Sequence, residues 1–339
     1  MQRFRISIVA TIAVLMITSC DKNVTMFTEI NRDGSCTRQI TTKDDCYLDD
    51  ESWEMVAPQD SSDHETVILR RSFSDVVEMA SNPILSVNDE PVRSDASLSI
   101  SFKWFYTDYK YTETFLNWKD HSDIKITDFV SQDEADFMLT GYPNLVDGLT
   151  GGEMVDVLDK LQEKMELWEY SVLTNCQLEL IRNHYADIAN PPVDKATFVS
   201  LRDSIIRFGN ENDYDPTGVI KDLLKDYFKS DAYDIFFTKS RKPADFAEEY
   251  EAEGNSIIES TIGIMLIKAP YYLKMPGRVT DAGRGTVTDG VIKYRFEGNF
   301  LASNDYTITA TSRAVNYWAF ILSGLVVLLA LASLLYRKK

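Results

Sequence analysis

Histidine and cysteine are scarce in this sequence, which holds three of the first and four of the second among 339 residues. The histidines, His64, His121 and His184, stand far apart and in no metal-binding spacing such as HExxH. The sequence also lacks a GxSxG nucleophile elbow, a phosphate-binding glycine loop and a CxxC redox pair. We therefore expect a protein that is not an enzyme and that holds neither a cofactor nor a metal ion.

Positive charge is also in short supply, because 35 lysines and arginines face 53 aspartates and glutamates and the formal net charge is −18. A chain this acidic is not expected to bind nucleic acid. We expect anionic lipid head groups to repel it as well, unless divalent cations intervene. Its hydrophobic content of 44% is ordinary for a folded protein, which argues against a disordered stalk.

Long apolar runs are limited to the two ends. Arg3 and Arg5 precede an apolar run at residues 6–17, the pattern of a signal peptide and too short to cross a bilayer core of ~30 Å. The run closes on Ile17-Thr18-Ser19-Cys20, which resembles the lipobox of bacterial lipoproteins. The resemblance implies that residues 1–19 are removed, that Cys20 carries a lipid such as palmitate, and that this is a bacterial envelope protein. The alternative is a plain signal peptide with an incidental cysteine.

The second apolar run extends from Trp318 to Leu335 without a charge or a proline. This length predicts a transmembrane helix over residues 317–336, and a buried core helix is the alternative. The basic residues that follow, at 337–339, predict a cytoplasmic C-terminal tail by the positive-inside rule. The two anchors agree on an ectodomain that lies in the periplasm, outside the cytoplasmic (inner) membrane of a bacterium.

Strand patterns occupy both ends of the ectodomain. Residues 24–40 alternate around Asp33-Gly34, which predicts a hairpin. From Leu98, apolar residues recur at every second position, and we expect one long antiparallel strand that continues to Phe115. A second turn is predicted at Asp289-Gly290.

Helix patterns occupy the middle. Residues 153–188 carry apolar side chains three and four positions apart, and shorter helices follow up to a C-cap expected at Gly254. The prediction is an α+β fold with a C-terminal transmembrane helix, in which one antiparallel sheet is built from both ends of the chain. Its parts are a β-rich region at 20–118, a helical insertion at 119–254 and a second β region at 255–314.

Three smaller features remain open from the sequence. Cys36 and Cys46 are close enough in sequence to form a disulfide, for which we find the arguments evenly balanced, and Cys176 is expected to be a buried free thiol. Asp213 and Asp215 open a stretch that copies the start of a calcium loop. The same two residues are explained by a helix start at Pro216, and the sequence does not decide between the two.

Aromatic residues are concentrated in KWFYTDYKYTETFLNW at residues 103–118. Rings on both faces of a strand require a cover on each side, and helices or a bound acyl chain are the two candidates. The candidate residues for contact with an amphiphile are Trp104, Phe105, Tyr106, Tyr109, Tyr111 and Met275.

A resemblance at the two ends adds to this picture. MPGRVTDAGRGTVTDGVIKYRF at residues 275–296 and SRAVNYWAF before the terminal helix resemble the membrane-proximal end of LppM-like bacterial envelope lipoproteins. The DGS turn near the N-terminus and the run FKWFYTDYKYTETF resemble uncharacterised lipoproteins of the same layout. The resemblance implies an α+β envelope domain and hints at lipid binding. Its motifs are structural and name no catalytic residue.

Two functional hypotheses follow. The first is a non-catalytic interaction or scaffold module at the cytoplasmic membrane, which binds an unidentified envelope protein and predicts an exposed apolar patch on the helical insertion. The second is a binding module for a lipid or other amphiphile, which predicts a cavity of roughly several hundred Å³ between sheet and helices.

Overall fold

The computed structural model describes residues 24–42, 52–56, 67–216, 220–233 and 244–337. Within these ranges, strands occupy both ends of the chain and helices its middle. The protein is an α+β protein, as the periodicity predicts, with one long apolar helix at its C-terminal end.

The strands of the described residues fall into two large sheets and a short ribbon. They are β1 (Thr25–Ile30), β2 (Cys36–Thr42), β3 (Glu54–Val56), β4 (Val67–Phe73), β5 (Ser86–Val87), β6 (Glu90–Pro91), β7 (Ser94–Lys103), β8 (Tyr106–Phe115), β9 (Tyr271–Lys274), β10 (Arg278–Asp281), β11 (Thr286–Thr288), β12 (Val291–Tyr294) and β13 (Tyr306–Val315).

The first sheet has the order β11-β12-β9-β1-β2-β4-β3. Strands β1 and β2 form the predicted hairpin, and Gly34 in its turn has a φ of +95°, which a residue without a Cβ adopts freely. The predicted turn at Asp289-Gly290 likewise joins β11 to β12, with a positive φ at both residues. Strand β1 pairs with β9 in parallel, so strands from the two ends of the chain meet in one sheet, as expected.

The second sheet has the order β10-β13-β8-β7 and is antiparallel throughout. Its inner face packs on the first sheet and carries Tyr109, Tyr111 and Phe115. Its outer face is solvated and carries serine, threonine and charged side chains, and on it Thr114 bonds to Thr307 across the strands. The outward-facing residues of β7 are exposed, so no helix of the described residues covers this second face along β7.

The long strand expected from Leu98 to Phe115 is instead the β7–β8 hairpin, whose two-residue tip is Trp104 and Phe105. The prediction failed because this tip contains none of the glycine, asparagine, aspartate or proline residues that mark tight turns, and neither residue has a positive φ.

The helices pack as a second unit with its own core, which includes Trp168 and Ile205. In the described residues they are α1 (Val76–Ala80), α2 (Gln132–Thr140), α3 (Gly151–Asn183), α4 (Lys195–Ser200), α5 (Arg202–Glu211), α6 (Lys221–Phe228), α7 (Ala244–Ile262) and α8 (Tyr317–Arg337). Helix α1 lies between β4 and β5 in sequence, and α8, the apolar C-terminal helix, follows β13.

Two expectations about the end of the helical region were wrong. Gly254 does not end a helix, because α7 continues to Ile262, and the strand expected after it is helical up to Leu266. A Cβ at Gly254 would lie 3.4 Å from Leu180 of α3, so the glycine lies where α7 packs closely on α3. Ile257, Ile258 and Ile262 pack on the helical core, and this tertiary contact overrides their strand propensity.

Candidate functional site

The tip of the β7–β8 hairpin packs against the first turns of α8. Phe102 stacks on Trp318 with ring centroids 6.2 Å apart, and Trp104 meets the same ring edge-on at 5.3 Å. Phe105 lies 4.7 Å from Phe320, again between ring centroids. Aromatic pairs of this kind each contribute about 0.5–1.5 kcal/mol beyond the area they bury. Sheet and helix therefore share one aromatic cluster.

A polar contact reaches further along the helix. Trp104 Nε1 donates a hydrogen bond to Ser323 Oγ at 2.9 Å. Ser323 lies six residues after Tyr317, or about 9 Å along the axis at 1.5 Å per residue. The Trp104 ring therefore lies beside the second turn of α8.

A single buried residue, Asn316, joins β13 to α8. Its backbone N–H donates to Phe105 O at 2.9 Å, and its Nδ2 donates to Lys103 O at 2.9 Å. Its Oδ1 accepts a hydrogen bond of 3.2 Å from Thr107 Oγ1. Because this one side chain bonds to both strands of the hairpin, the helix leaves the sheet without a flexible linker.

The cluster lies at the border of a continuous apolar surface. Residues Tyr317–Tyr336 are long and apolar enough to cross a membrane, and 6% of that window is buried inside the protein. On the sheet side, Phe102, Trp104 and Phe105 are exposed and contact this helix, and Val315, also exposed, lies two residues before it. An exposed apolar surface of this extent marks a membrane or protein contact.

Of the six residues predicted to contact an amphiphile, three lie at this end of the hairpin. Trp104 and Phe105 form the exposed tip, with exposed fractions of 46% and 42%. Tyr106 is half-buried on the outer face, under the side chains of Lys103 and Arg313.

The other three lie in the core. Tyr109 is 3% exposed and donates to Arg32 O at 3.0 Å, and Tyr111 and Met275 are also buried. The structure therefore brings together only half of the predicted set, and at a surface rather than around a cavity.

The cavities lie elsewhere. A cleft of about 300 Å³ opens between α3 and the α4–α5 segment, where Arg182 and Arg202 on its walls are each paired with a carboxylate. A pocket of about 20 Å³, between Trp118 and Trp168, lies where sheet and helices meet. None of the six predicted residues lines either one.

A buried ion pair that was not predicted from the sequence lies between the two sheets. Arg38 Nη2 of β2 lies 3.0 Å and 2.8 Å from the two carboxylate oxygens of Glu113 on β8, and both residues are at most 2% exposed. Tyr111 and Tyr271 donate to Glu113 Oε2 at 2.6 Å and 2.7 Å, and Ser94 donates to its Oε1 at 3.1 Å. The pair thus links strands of both sheets.

Burial alone would raise the pKa of Glu113, but the Arg38 guanidinium and the two tyrosine hydroxyls outweigh it and hold that pKa below its ordinary value. Glu113 and Arg38 share a fully buried position, so no substrate reaches them from solvent. A usable signal existed, since each charged residue falls on the inward-facing positions of its strand.

The cysteines give a mixed outcome. Cys36 is buried, and its Sγ lies 3.4 Å from Asp75 O and 3.6 Å from Met79 Sδ. Cys46 lies outside the described residues, so the disulfide stays a prediction. Cys176 is a buried free thiol, as expected, and burial raises its pKa to about 11. Cys20 also lies outside the described residues.

The polar clusters on the helices were compared with known metal-ligand arrangements. Among the described residues, no group of three or more histidine, cysteine, aspartate or glutamate side chains is placed to hold a metal ion. His184 Nε2 lies 2.5 Å from Glu253 Oε2 and so ties α3 to α7. Asp213 has a φ of +54°, and part of the calcium-like stretch, residues 217–219, lies outside the described ranges. Calcium binding by Asp213 and Asp215 stays a prediction.

No protein-family model, curated protein or solved structure matches this chain. The resemblance to LppM-like lipoproteins therefore stays a prediction.

Proposed function

We propose that this chain is a membrane-anchored interaction module of the bacterial cell envelope, without catalytic activity. Helix α8 spans the cytoplasmic membrane, the β7–β8 tip lies in the interfacial zone of that bilayer, and the domains before α8 are extracytoplasmic. The contact between this tip and α8 carries the proposal, because it sets exposed aromatic rings beside an apolar helix of spanning length. Tryptophan and other aromatic side chains favour the membrane interface.

The orientation rests on the sequence. The basic residues at 337–339 support a cytoplasmic C-terminus, and the lipobox-like Ile17–Cys20 supports a second, lipid anchor on the outer side. Cys20→Ala is expected to leave an uncleaved, slower-migrating precursor in the membrane fraction. Recovery of this variant in the soluble fraction would contradict anchoring by α8.

An exposed stripe on α3 supports the interaction role. Leu161, Met165 and Trp168 are buried in the helical core, whereas Val155 and Leu158 near the start of α3 are 55% and 36% exposed. The acidic residues around them are Glu153, Asp156 and Asp159. The partner that fits this surface is an envelope protein with an apolar patch bordered by lysine or arginine.

The alternative, a binding module for a lipid or other amphiphile, has less support, because the predicted contact residues line neither cavity described above. Stoichiometric lipid retained by the full chain after exhaustive detergent exchange would favour it.

The membrane position is tested by tryptophan quenching. The full chain is reconstituted into vesicles whose lipids carry bromine near the top of the acyl chains. Under the proposal, Trp104 and Trp318 are quenched, so Trp104→Phe lowers the quenched share from two of five emitters to one of four. The control Trp168→Phe, in the helical core, raises that share to two of four. An unchanged share in Trp104→Phe would overturn the proposed position of the tip.

A further inference from the structure

Three basic side chains lie on the outer face of the second sheet, at the end of the sheet that adjoins the hairpin tip. Lys103 is the last residue of β7, and Arg278 and Arg313 are directly opposite each other on β10 and β13. Arg313 is also opposite Asp108 of β8. Residues that are opposite each other in an antiparallel pair point to the same face, so these charges share one surface.

The carboxylate of Asp108 forms ion pairs with two of these cations, Arg313 and Lys103. Arg313 Nε donates to Asp108 Oδ1 at 2.6 Å, and Lys103 Nζ lies 3.4 Å from Asp108 Oδ2. Both cations also lie over the Tyr106 ring, with Arg313 Cζ 4.0 Å and Lys103 Nζ 5.4 Å from its centroid. The hydrogen bond from Arg313 lowers the pKa of Asp108, so this carboxylate stays ionised and holds the two cations in place.

Of the three cations, Arg278 is the one for which the described part of the chain supplies no paired carboxylate. It is exposed and forms no ion pair within the described part of the chain. The next acidic residue of β10 is Asp281, whose Oδ1 accepts a hydrogen bond from the Gly283 N–H. Like charges directly opposite each other in a sheet are destabilising. The Arg278–Arg313 pair is therefore an arrangement that an anion would stabilise.

The backbone fixes this pair. Gly277, just before Arg278, has a φ of +75°, and a Cβ there would lie 2.3 Å from Arg313 O. Only a glycine permits so close an approach of β10 to β13. The backbone positions of Arg278 and Arg313 are therefore fixed relative to each other. This basic pair occurs in a chain whose formal net charge is −18.

Their position identifies the anion. Lys103 adjoins Trp104 of the tip, and Arg313 precedes the start of α8 at Tyr317 by four residues. If α8 enters the bilayer at Tyr317, the three cations face the headgroup layer, where lipid phosphates lie.

We propose that Lys103, Arg278 and Arg313 form a binding site for the phosphate of anionic lipid headgroups in the leaflet that α8 enters. The inference rests on the proposed membrane position of the hairpin tip. At this site the three basic residues would attract anionic lipid, although the acidic composition of the whole chain predicts repulsion. A lysine or arginine near an anionic surface strengthens association about fivefold.

The test compares brominated lipids by headgroup. The full chain is reconstituted in vesicles of equal phosphatidylglycerol and phosphatidylcholine, with bromine on one lipid or on the other, and tryptophan quenching gives the relative association constant of the two. We expect a preference for phosphatidylglycerol in the unaltered chain. Arg278→Gln is expected to lower this preference about fivefold.

The matched control is Arg93→Gln, which removes the same charge from an exposed position just before β7, at the opposite end of the same sheet. It is expected to leave the preference unchanged. Equal quenching by the two lipids in the unaltered chain, or an equal loss in both variants, would overturn the headgroup site and leave the membrane position intact. No quenching of Trp104 by either lipid would instead overturn the membrane position itself.

Discussion

Replacing Glu113 by glutamine removes the charge with which Arg38 is paired inside the protein and nearly keeps the size of the side chain. The carboxylate accepts from Arg38, Tyr111, Tyr271 and Ser94, whereas the amide offers one oxygen and two new donors. Arg38 is 2% exposed, and its guanidinium group stays ionised because arginine is not deprotonated in proteins. The variant therefore leaves a charge that is buried and unpaired.

Breaking a buried pair from one side costs about 3–5 kcal/mol. The upper part of this range applies here, because hydrogen bonds to a charged acceptor are worth about 1.5–3 kcal/mol each and several are lost together. Domains are stable by about 5–15 kcal/mol, so the loss is a large share of the total. We expect Glu113→Gln to lower the free energy of unfolding by about 4 kcal/mol.

The double variant Arg38→Met/Glu113→Leu is the matched control. It removes both charges, and the hydroxyls of Tyr111 and Tyr271 still have each other, 3.1 Å apart, and Thr28 as partners. We expect the double variant to lower the free energy of unfolding by less than Glu113→Gln alone does. Urea unfolding of the full chain in detergent micelles measures both losses. A single-variant loss below about 1 kcal/mol, or a double variant that is more costly, would refute the account of the pair.

The effect should depend on pH. The pKa of Glu113 is lower in the folded protein than its ordinary value of 4.5, so the folded state binds fewer protons. Its stabilising contribution is complete above pH 4.5 and is lost as the pH falls through the folded-state pKa. The difference between the unaltered chain and Glu113→Gln should therefore shrink on acidification. A constant difference would contradict the ionised state assigned to Glu113.

Two further predictions concern single positions. Gly277→Ala should cost at least about 2 kcal/mol more than Gly290→Ala by urea unfolding, because both have a positive φ but only the first would place a Cβ against a backbone carbonyl, at 2.3 Å. Equal losses would contradict the close approach of β10 and β13. Burial raises the pKa of Glu169 to about 7, so the contribution of this one residue to stability is greatest below pH 4.5 and falls by about 3 kcal/mol as the pH rises through 7. Glu169→Gln should flatten this slope, and the control Glu163→Gln, exposed on the same helix, should not; an unchanged slope in Glu169→Gln would contradict the assignment.

The parts of the fold that follow from local pattern were predictable. The hairpin turns at Gly34 and Gly290 are marked by residues that adopt a positive φ, and the stripe of α3 has the period of a helix. The tip at Trp104 and Phe105 was not predictable, because its residues are chosen for contact with α8 rather than for the turn. Pairing of β1 with β9 depends on residues about 245 positions apart, as between Met26 and Tyr271, beyond the reach of local periodicity.

The candidate site also has a part that the sequence predicts and a part that only the structure shows. Aromatic density singled out Trp104 and Phe105, and the structure explains their density by a surface rather than a cavity. The pairing of Arg278 with Arg313 required the sheet register, since the sequence separates the two by 35 positions. The acidic composition predicted a negatively charged surface here. A net charge is an average over the whole chain and does not show that this one surface is positively charged.

The two proposed anchors together restrict how the sheets stand on the bilayer. Val24 N donates to Lys268 O, and the neighbouring strand segment places Phe296 4.4 Å from Phe115, between ring centroids. The start of β1 therefore lies at the end of β8 that is opposite to the hairpin tip, roughly 30 Å away along ten residues. The four residues that lead from Cys20 to Val24 span at most about 14 Å.

A lipid on Cys20 can enter the leaflet that α8 enters only if this end of the sheet lies within that reach. The strands must then incline by roughly 60° or more from the bilayer normal, since 14 Å is about half of 30 Å. Infrared dichroism of the amide bands in oriented bilayers measures this angle. We expect strongly inclined strands in the lipidated chain, and a release of this constraint in Cys20→Ala. Strands close to the normal in the lipidated chain would show that β1 does not remain paired with β9 while both anchors occupy one bilayer.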